Sequence, residues 1–407
     1  MRRTNCLTCG SQELTKVLDL GMQAFADTFV DNSRSNDVLP VYDLSCVLCK
    51  NCGMVQTSTI TSANERYNMF DYSYTSSNSK VAKNHWLSYA ENLTKTLNLS
   101  NSQICEIGSN DGFLLNIFQS LGNEVLGIDA SKHMTKIANK NGVKTVSHVF
   151  DENITLEKLN YKSSFDLVVA NNVFNHSDNP LSFIKGVYNL LKVGGTFVFE
   201  VPYWKCTIDS KKIDQIYHEH VTYFTATSVK NMIKKFNFIV SDIEVVDYHG
   251  GSLRLQLQKI AESEKKKHNN KLASFIEEEK HLFDIQTYKN LKLTLDKMKL
   301  MFLKDIVDNK LKGVPLVAIG AAAKGNTLLN YLNLNATIVD WVTDASDFKQ
   351  GKKTPLSNIP ICSDDILRDY KEVSALLLCW NLSSFVKQKL LEINPNIKFI
   401  NFYEDYA

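Results

Sequence analysis

The stretch "QICEIGSNDGFLLNIFQSLGNEVLGIDAS", residues 103–131, decides the fold class. Its apolar start, "ICEIG", is typical of a buried parallel strand, and "GFLLNIFQSL" has the spacing of an amphipathic helix. A second strand, "EVLGID", follows and ends on Asp129. A strand, a helix and another strand in succession form the unit of a doubly wound α/β sheet. We therefore expect a Rossmann-like domain around this stretch.

The loop between the first strand and the helix has the pattern Glu106-x-Gly108-x-x-x-Gly112. Gly108 would let the backbone approach a ligand closely, and the free amides of the helix N-terminus would face that ligand. Asp129 is placed to accept both hydroxyls of a ribose. The pattern differs from the G-x-G-x-x-G fingerprint of dinucleotide sites, and Asp111 would repel a pyrophosphate but not a cationic sulfonium. The spacing resembles the S-adenosylmethionine loop of class I methyltransferases.

Strands and helices continue to alternate downstream. "SFDLVVANNVFNHSDNP" predicts a strand with its active-site loop, and "LLKVGGTFVFEVP" a helix end, a Gly-Gly turn and another strand. His176 is predicted to contact the substrate, with a structural role in capping the turn as the alternative. A Rossmann-like domain without a cofactor is the alternative for the whole unit. The predicted cofactor-binding residues are Glu106, Gly108, Ser109, Asn110, Gly112, Asp129, Ala130, Asn171 and Asn172.

Composition indicates an ordinary globular chain that divides into several domains. With 407 residues the chain is too long for one compact core, and its 44% apolar and 22% charged residues are typical of globular proteins. A net charge of +2 provides no field for nucleic acid or anionic lipid. No apolar run approaches the ~20 residues of a membrane span, and "MRRTNCLTCG" lacks the apolar core of a secretion signal. We expect a cytoplasmic protein without nucleic-acid or membrane partners.

Cysteines crowd the N-terminal end of the chain. "CLTCG" and "CKNCG" are two copies of Cys-x-x-Cys-Gly. Each such turn can bind a metal ion through two thiolates, so the pair predicts a closed four-sulfur site for structural zinc, with Cys6, Cys9, Cys49 and Cys52 as ligands. Cys46 also forms a Cys-x-x-Cys with Cys49, but the repeated glycine favours Cys52 and leaves Cys46 as a buried thiol. Cysteines that serve only as core residues are the alternative.

A charge run, "KIAESEKKKHNNK", precedes a C-terminal unit. A helical stretch over about 271–312 follows, and then "VPLVAIG", "ATIVDWVTD" and "SALLLCW" predict strands of a second, smaller βα repeat. In the turn "GAAAKGNT", Lys324, Asn326 and Thr327 could bind the phosphates of a sugar nucleotide together with helix amides, or the turn could be purely structural. The predicted domains are a zinc-binding domain at 1–72, a Rossmann-like domain at 73–258 and an α/β domain at 259–407.

Several motifs follow one another over nearly the whole chain. They are the two CxxCG turns, "LGMQAFADTF", "EIGSNDG", "YHEHVTYF", "HGGSLR" and "GAAAKGNTLLNY". As an ordered set they resemble the sugar C-methyltransferases that act on nucleotide-linked 4-keto-deoxysugars. The resemblance implies a zinc-binding domain, a central S-adenosylmethionine domain, and a C-terminal domain that helps to hold a sugar linked to dTDP, GDP or CDP. Surface polysaccharide and secondary metabolites both fit as products.

The resemblance also implies the chemistry and its residues. A base removes the proton at C3, beside the C4 ketone, and the enolate attacks the sulfonium methyl group. By motif position His220 is the base, Tyr217 assists or orients it, and Glu219 lines the same site. His218 stays an alternative to His220, because only a bend in "YHEH" would let Tyr217 and Glu219 join His220.

Further residues are implied around this reaction site. In "YHGGSLRLQL", His249 is predicted to contact the substrate, and the two glycines suit a turn with close ligand approach. Arg254 could bind a phosphate or an internal carboxylate. "FDYSYTSSNS" resembles the family's Tyr/Ser-rich segment, which implies Tyr74 and Ser77 for the cofactor pocket. The competing functions are O- or N-methylation of a sugar nucleotide, and a zinc-ribbon protein that binds or modifies RNA. Monomer and homodimer both stay open.

Overall fold

The part of the chain that the computed structural model describes is made up of residues 1–34, 38–62, 65–66, 79–153 and 163–407. Tyr74 and Ser77 lie outside the described residues, so their predicted place in the cofactor pocket stays a prediction.

Strands and helices alternate over most of this length. The strands are β1 (Leu14–Ala24), β2 (Val41–Cys49), β3 (Val55–Thr57), β4 (Gln103–Ile107), β5 (Glu124–Asp129), β6 (Thr145–Ser147), β7 (Phe165–Asn171), β8 (Leu191–Pro202), β9 (Thr222–Tyr223), β10 (Phe238–Val246), β11 (Ser252–Lys259), β12 (Leu316–Ile319), β13 (Trp341–Thr343), β14 (Ile361–Cys362), β15 (Val373–Leu377) and β16 (Ile397–Ile400). The helices are α1 (Lys80–Thr96), α2 (Phe113–Ser120), α3 (Lys132–Lys140), α4 (Pro180–Leu190), α5 (Trp204–Asp209), α6 (Ala226–Met232), α7 (Lys271–Glu278), α8 (Ile285–Leu311), α9 (Ala323–Tyr331), α10 (Ser383–Ile393) and α11 (Phe402–Asp405).

The N-terminal sheet has four antiparallel strands in the order β1-β2-β3-β9. Three of them come from the first 57 residues, but β9 is supplied from far along the chain. Val55 pairs with Tyr223, and Gln56 with Thr222. The strand that follows "YHEH" therefore closes the sheet of the zinc-binding segment, which the division into domains by sequence did not anticipate.

The central sheet has seven strands in the order β10-β11-β8-β7-β4-β5-β6. Strands β4 to β8 are parallel, and β11 lies antiparallel between β8 and β10. The chain moves from β4 to β5 on one side and returns to β7 on the other. Ligands of open α/β sheets bind at such a reversal, outside the carboxyl ends of the strands. The loops after β4 and β7 are therefore the expected ligand site.

The C-terminal sheet has five parallel strands in the order β14-β13-β12-β15-β16, which confirms the predicted second βα repeat. The predicted helical stretch becomes α7 and the 27-residue α8. The buried residues of α8 recur at intervals of three and four, which is the spacing of one helix face. They are Tyr288, Leu291, Leu295, Met298, Phe302 and Ile306.

One apolar core joins the N-terminal sheet, α8 and the C-terminal sheet. It includes Leu18 and Leu44 from the N-terminal strands, Phe302 from α8, and Leu316 and Trp380 from the C-terminal domain. The N-terminal sheet, α8 and the C-terminal sheet therefore pack against one another and share a buried interface. Among the described helices, none combines the length and the apolar character needed to cross a bilayer.

Candidate functional site

The four predicted zinc ligands converge at the edge of the N-terminal sheet. The sulfurs of Cys6, Cys9, Cys49 and Cys52 all lie within 4.8 Å of one another. Cys6 Sγ is 3.5 Å from Cys52 Sγ, and Cys9 Sγ is 3.5 Å from Cys49 Sγ. Tetrahedral zinc with Zn–S bonds near 2.3 Å would separate sulfurs by about 3.8 Å. The four sulfurs are therefore spaced closely enough to bind one tetrahedral zinc ion.

Both knuckles are turns that close on a glycine. Gly10 N–H donates to Cys6 O over 3.0 Å, and Gly53 N–H donates to Cys49 O over 2.9 Å. Their φ angles of 76° and 79° are in the left-handed region that glycine adopts readily. Cys46 is fully buried on β2 and is not among the four clustered cysteines. The repeated glycine after each Cys-x-x-Cys therefore predicted the correct pair, Cys49 and Cys52, and not Cys46 and Cys49.

The predicted nucleoside loop follows β4 and is tied to β5. Asn110 N–H donates to Asp129 Oδ2 over 2.8 Å, and Ser131 N–H donates to Asp129 Oδ1 over 2.7 Å. The carboxylate of Asp129 thus holds the loop in place, while each oxygen keeps a second lone pair for a ligand. Asn110 takes a φ of 50°, a strained conformation that Asn tolerates better than most residues.

The two glycines of this loop serve packing rather than ligand approach. A Cβ on Gly108 would lie 2.8 Å from Val173 Cγ2, and one on Gly112 would lie 3.1 Å from Ala138 Cβ and Val143 Cβ. Both residues have positive φ angles, 74° and 79°. The expectation that Gly108 makes room for a ligand is therefore wrong in its reason. It makes room for the loop that follows β7.

Three carboxyl groups, Glu106, Asp111 and Asp129, lie close together at this edge of the sheet. Burial and then the charges of Asp111 and Asp129 raise the pKa of Glu106 well above its ordinary value. Burial also raises the pKa of Asp129. Glu106 Oε2 and Ser109 Oγ are buried and have no hydrogen-bond partner among the described residues. A cationic ligand with polar groups would relieve both deficits, which fits a sulfonium nucleoside.

The residues that follow β7 complete this edge. Asn172 N–H donates to Glu200 O over 2.7 Å, and Asn172 has a φ of 53°. Asn171 lies at the carboxyl end of β7, beside Glu200 in the sheet register. Asn175 is buried, and neither atom of its side-chain amide has a partner among the described residues. No sequence motif singles out Asn175; its place directly before His176 in the same loop is the one signal that points to it.

The segment Tyr217–His220 forms a tight turn rather than a strand. His220 N–H donates to Tyr217 O over 3.0 Å, so the chain bends as the resemblance implied. The rings of Tyr217 and His220 are 3.9 Å apart between centroids. His176 approaches from the loop after β7, and its ring centroid is 5.0 Å from that of His220. The turn therefore brings three predicted residues together.

His220 is held by a main-chain carbonyl. Its Nδ1 lies 2.9 Å from Gln215 O, and because a carbonyl only accepts, Nδ1 carries the proton in this contact. Burial lowers the pKa of His220 to about 3, so the ring is neutral. A neutral ring with a proton on Nδ1 leaves the lone pair on Nε2. The Gln215 carbonyl therefore orients the ring of His220.

Glu219 points toward the N-terminal domain. Its Oε1 accepts from Asp27 N–H over 3.3 Å, and its Oε2 is buried without a partner among the described residues. His218 faces the same domain, with ring centroids 5.6 Å from Phe25 and 6.0 Å from Tyr42. His218 and Glu219 thus face the N-terminal domain together. His218 and Glu219 anchor the turn on the zinc-binding domain, and His220 faces away from it.

We expect Glu219 to make the protein less stable as pH rises. Burial raises its pKa to about 7 from an ordinary 4.5, so between these values the folded chain binds a proton that the unfolded chain lacks. The free energy of unfolding therefore falls through that window, by at most on the order of 3 kcal/mol. From pH 5 to pH 8, Glu219→Gln should gain stability relative to wild type in urea unfolding. The exposed Glu278→Gln is the control, and parallel pH curves for Glu219→Gln and wild type would contradict the expectation.

The predicted substrate residue His249 lies at the boundary with the C-terminal domain. Burial and then the charge of Lys324 lower the pKa of His249 to about 3. A Cβ on Gly250 would lie 2.3 Å from Trp380, and one on Gly251 would lie 2.8 Å from Cys206. The prediction that these glycines admit a ligand is wrong, because a tryptophan and a cysteine occupy the space. The turn is a packing contact between domains.

The loop after β12 differs from its prediction at two of its three predicted residues. Lys324 Nζ lies 3.8 Å from the centre of the Trp380 ring and bonds to Asn381 Oδ1. Burial lowers the pKa of Lys324 to about 8, so it stays mostly charged at neutral pH. Asn326 is buried, and its Nδ2 donates to Ala26 O over 2.7 Å. Asn326 is thus engaged with the N-terminal domain and not with a phosphate, and Thr327 is buried beside it.

Arg254 is taken up by carboxylates of the protein. Its Nε and Nη2 donate to Glu200 Oε2 over 3.0 and 2.7 Å, and its Nη1 donates to Glu244 Oε1 over 2.9 Å. Glu200 is fully buried and also meets His85 Nε2 at 2.9 Å. Burial would raise the pKa of Glu200, but His85 and Arg254 hold it below the ordinary value. Of the two roles open for Arg254, the structure shows the internal carboxylate.

This contact predicts that Arg254→Met lowers stability much more than it raises the KM for the acceptor. Removing one partner of a buried ion pair costs about 3–5 kcal/mol, because the other charge stays buried. The double variant Arg254→Met/Glu200→Gln should recover much of that loss. Urea unfolding and steady-state kinetics measure both effects. A large rise in KM with unchanged stability would instead make Arg254 a phosphate ligand.

The chain matches three family models that together span most of its length. A zinc binding domain matches residues 6–67, a methyltransferase domain matches 83–242, and a C-methyltransferase C-terminal domain matches 247–401. The first match contains the four clustered cysteines, and the second contains the acidic loop.

Known proteins resemble the chain at two levels. C-methyltransferase NovU of Streptomyces niveus is 24% identical over 379 residues, which is 92% of this chain and 89% of that protein. The mitochondrial ubiquinone biosynthesis O-methyltransferase of Rattus norvegicus is 35% identical over 105 residues, 24% of this chain and 30% of that enzyme. A solved S-adenosylmethionine-dependent methyltransferase of Thermotoga maritima is 18% identical, covers 44% of this chain and 89% of that chain, and has a TM-score of 0.35.

The central sheet, its acidic loop and the methyltransferase match define a class I methyltransferase that depends on S-adenosylmethionine. Within that class the chain is similar to C-methyltransferases: a zinc binding domain matches before the catalytic domain, and a C-methyltransferase C-terminal domain matches after it. The residues of the four-sulfur site fit structural zinc. The predicted fold class and both predicted cofactors are thereby confirmed.

Proposed function

We propose that the protein transfers a methyl group to C3 of a nucleotide-linked 4-keto-deoxysugar. One observation carries the proposal: His220 Nδ1 is 2.9 Å from Gln215 O, which leaves Nε2 free to accept a proton. This imidazole lies beside Tyr217 and His176, and His176 comes from the loop after β7 at the cofactor edge. The sequence resemblance supplies the identity of the sugar substrate.

The chemistry requires a base of this kind. Carbon does not attack a methyl sulfonium unless it is first made nucleophilic, and a neighbouring ketone makes its proton acidic enough to remove. His220 Nε2 takes the proton from C3, and the electron pair moves into the enolate of the C4 ketone. Donors near the developing oxygen, with Tyr217 as the candidate, stabilise that charge. The carbon would then form a bond to the methyl group while the bond from that methyl group to the sulfonium sulfur breaks, and the electron pair of the broken bond would stay on sulfur, which leaves as a neutral thioether.

The cofactor supplies the methyl group as a sulfonium. We infer that Glu106, Ser109 and Asn110 hold it after β4, and that Asp129 accepts the ribose hydroxyls. Support comes from Glu106 Oε2 and Ser109 Oγ, which have no partner among the described residues, and from the burial and neighbouring carboxylates that raise the pKa of Glu106. Ala130, Asn171 and Asn172 stay predicted neighbours, by their position at the same edge.

We infer that the acceptor sugar nucleotide binds near the boundary between the central and C-terminal domains. His249 and Lys324 lie together there, close enough that the charge of Lys324 lowers the pKa of His249. Lys324 is cationic at neutral pH and suits the diphosphate of a dTDP, GDP or CDP sugar. Asn326 and Thr327 are removed from this set, because Asn326 bonds to Ala26 O and both are buried.

Labelled methyl donor and a panel of 4-keto sugar nucleotides test this proposal. We expect NMR to locate the label on the carbon beside the ketone. Without methyl donor, the protein should exchange the C3 proton for deuterium, because the base acts before transfer. A label on oxygen or nitrogen would make the protein an O- or N-methyltransferase. Absence of exchange under every condition would rule out the enolate.

A further inference from the structure

The short 3₁₀ segment Ile213–Gln215 lies between α5 and the turn that carries His220. It is buried over its whole length. Residues of the C-terminal domain contact Asp214, and the adjacent Gln215 contacts both His220 and His249. The segment therefore connects a domain without the cofactor loop to the candidate base.

Asp214 is clamped by two aromatic residues of the C-terminal domain. Trp380 Nε1–H donates to Asp214 Oδ2 over 2.6 Å, and Asp214 N–H donates to the Tyr403 hydroxyl over 3.2 Å. The rings of Trp380 and Tyr403 pack edge to face, with centroids 5.9 Å apart. Lys212 and Lys324 place their Nζ atoms 4.3 and 3.8 Å from the centre of the Trp380 ring. The position of Asp214 is therefore set by packed groups with little freedom.

Gln215 makes two hydrogen bonds with different partners. Its carbonyl accepts the Nδ1 proton of His220 over 2.9 Å. Its side-chain Nε2–H donates to His249 O. His249 has a φ of 53°, and the next residue, Gly250, packs directly against Trp380. The carbonyl that orients His220 is thus fixed from both sides, by Asp214 before it and by its own side chain.

We propose that Gln215 is a positioning residue for the base, through which the C-terminal domain acts on the reaction. The inference rests on the proposed function in taking His220 as the base. The proton of His220 is kept on Nδ1 by the Gln215 carbonyl, which Trp380, Tyr403 and His249 hold in place. A neutral imidazole whose Nδ1 partner moves can carry its proton on Nε2 instead. In that tautomer Nε2 cannot accept a proton, and the ring is inactive.

Gln215→Glu tests the proposal with little change of size. The glutamate has no N–H for His249 O, and its carboxylate oxygens are repelled by that carbonyl, so the segment shifts. The tautomer is read from ¹⁵N NMR of the histidine-labelled protein. The chain has nine histidines, and the signal that is missing in His220→Gln belongs to His220. We expect wild type to show the Nδ1–H tautomer and the variant to show a mixture. Deuterium exchange and kcat should fall by roughly 10- to 100-fold, less than the 10²- to 10⁴-fold contribution of a general base, because part of the population keeps the active tautomer.

Gln258→Glu is the matched control, because Gln258 Nε2 also donates to a carbonyl, Gly194 O at 3.2 Å, far from this segment. It should leave the tautomer and the rates unchanged. Trp380→Phe provides a second variant should Gln215→Glu fail to fold, since it removes the N–H that Asp214 accepts and keeps an aromatic ring, although a smaller one, beside Gly250. A folded variant with the wild-type tautomer would overturn the proposal.

The NMR signal separates this inference from the proposed function. A changed tautomer with reduced exchange and reduced transfer supports both. A changed tautomer with full methyl transfer would overturn His220 as the base, and with it the role of Gln215 in the reaction. An unchanged tautomer with reduced transfer would overturn the positioning role alone.

Discussion

His220→Gln should reduce methyl transfer by roughly 10²- to 10⁴-fold, the contribution that a positioned base makes to proton transfer. The side-chain amide of glutamine can replace the Nδ1–H donor toward Gln215 O, but it offers no basic nitrogen. Deuterium exchange at C3 should fall by the same factor, because proton removal precedes transfer. The Kd for S-adenosylmethionine should change little, since its predicted ligands lie at the carboxyl ends of β4, β5 and β7 and in the loops that follow them. Exchange, transfer and cofactor binding can be measured on one preparation.

His218→Gln is the matched control for this variant. The residue type and the change are the same, but the His218 ring packs on Phe25 and Tyr42 of the N-terminal domain. We expect lower stability and a kcat within a few-fold of wild type. A loss of exchange in His218→Gln with none in His220→Gln would exchange their roles.

The pH profile adds an independent check on His220. Burial lowers its pKa to about 3, so the ring is a neutral base at every pH above that value. The rate of exchange should therefore show no loss of a histidine base between about pH 8 and pH 5, where an exposed histidine would become protonated. An acid limb near pH 6.5 that disappears in His220→Gln would contradict the buried, neutral state.

Loss of zinc should abolish activity because it disrupts the turn Tyr217–His220, while the cofactor loop after β4 stays intact. Cys52→Ser is expected to lose about one bound zinc ion per chain, because serine is a poor zinc ligand and three thiolates leave the site open. Structural zinc contributes on the order of 10 kcal/mol to small domains, so the N-terminal sheet should unfold. That sheet holds β9, and it supplies the Asp27, Phe25 and Tyr42 contacts of the turn.

Cys46→Ala is the control for the zinc variant. Cys46 is buried on β2 and is not among the four clustered sulfurs, so zinc content and activity should be retained at a modest cost in stability. Zinc is measured by atomic absorption, and unfolding by urea titration. Zinc loss in Cys46→Ala equal to that in Cys52→Ser would contradict the assigned register. Full methyl transfer by a zinc-free protein would contradict the link to the turn.

Local spacing was sufficient for the two sites whose residues are near one another in sequence. A Cys-x-x-Cys-Gly turn specifies its own geometry, so the four zinc ligands could be predicted and the extra cysteine excluded. The strand, acidic loop and helix around Glu106 likewise predicted the central sheet. Spacing did not reveal that Gly108 makes room for Val173, because that contact joins loops after β4 and β7.

Residues whose partners are distant in sequence were predicted poorly. Arg254 was open between a phosphate and a carboxylate, and the buried Glu200 decides for the carboxylate. Asn326 looked like a phosphate ligand in its turn, but it bonds to Ala26 O from the other end of the chain. Gly250 looked like a ligand contact, and Trp380 occupies the space. In each case the deciding partner is more than 50 residues away, or in another domain.

The sequence by itself determined the class of the protein: two metal knuckles, a sheet with an acidic cofactor loop, a second α/β unit, and the order of motifs that implies C-methylation. These features depend on short-range chemistry, which residue types and spacing express directly. Only the tertiary structure decided which side chains of "YHEH" face the zinc-binding domain and which face the candidate reaction site. His218 and Glu219 meet the zinc-binding domain, and His220 meets Gln215 O. That choice depends on partners brought together by packing of all three domains, and no local pattern records it.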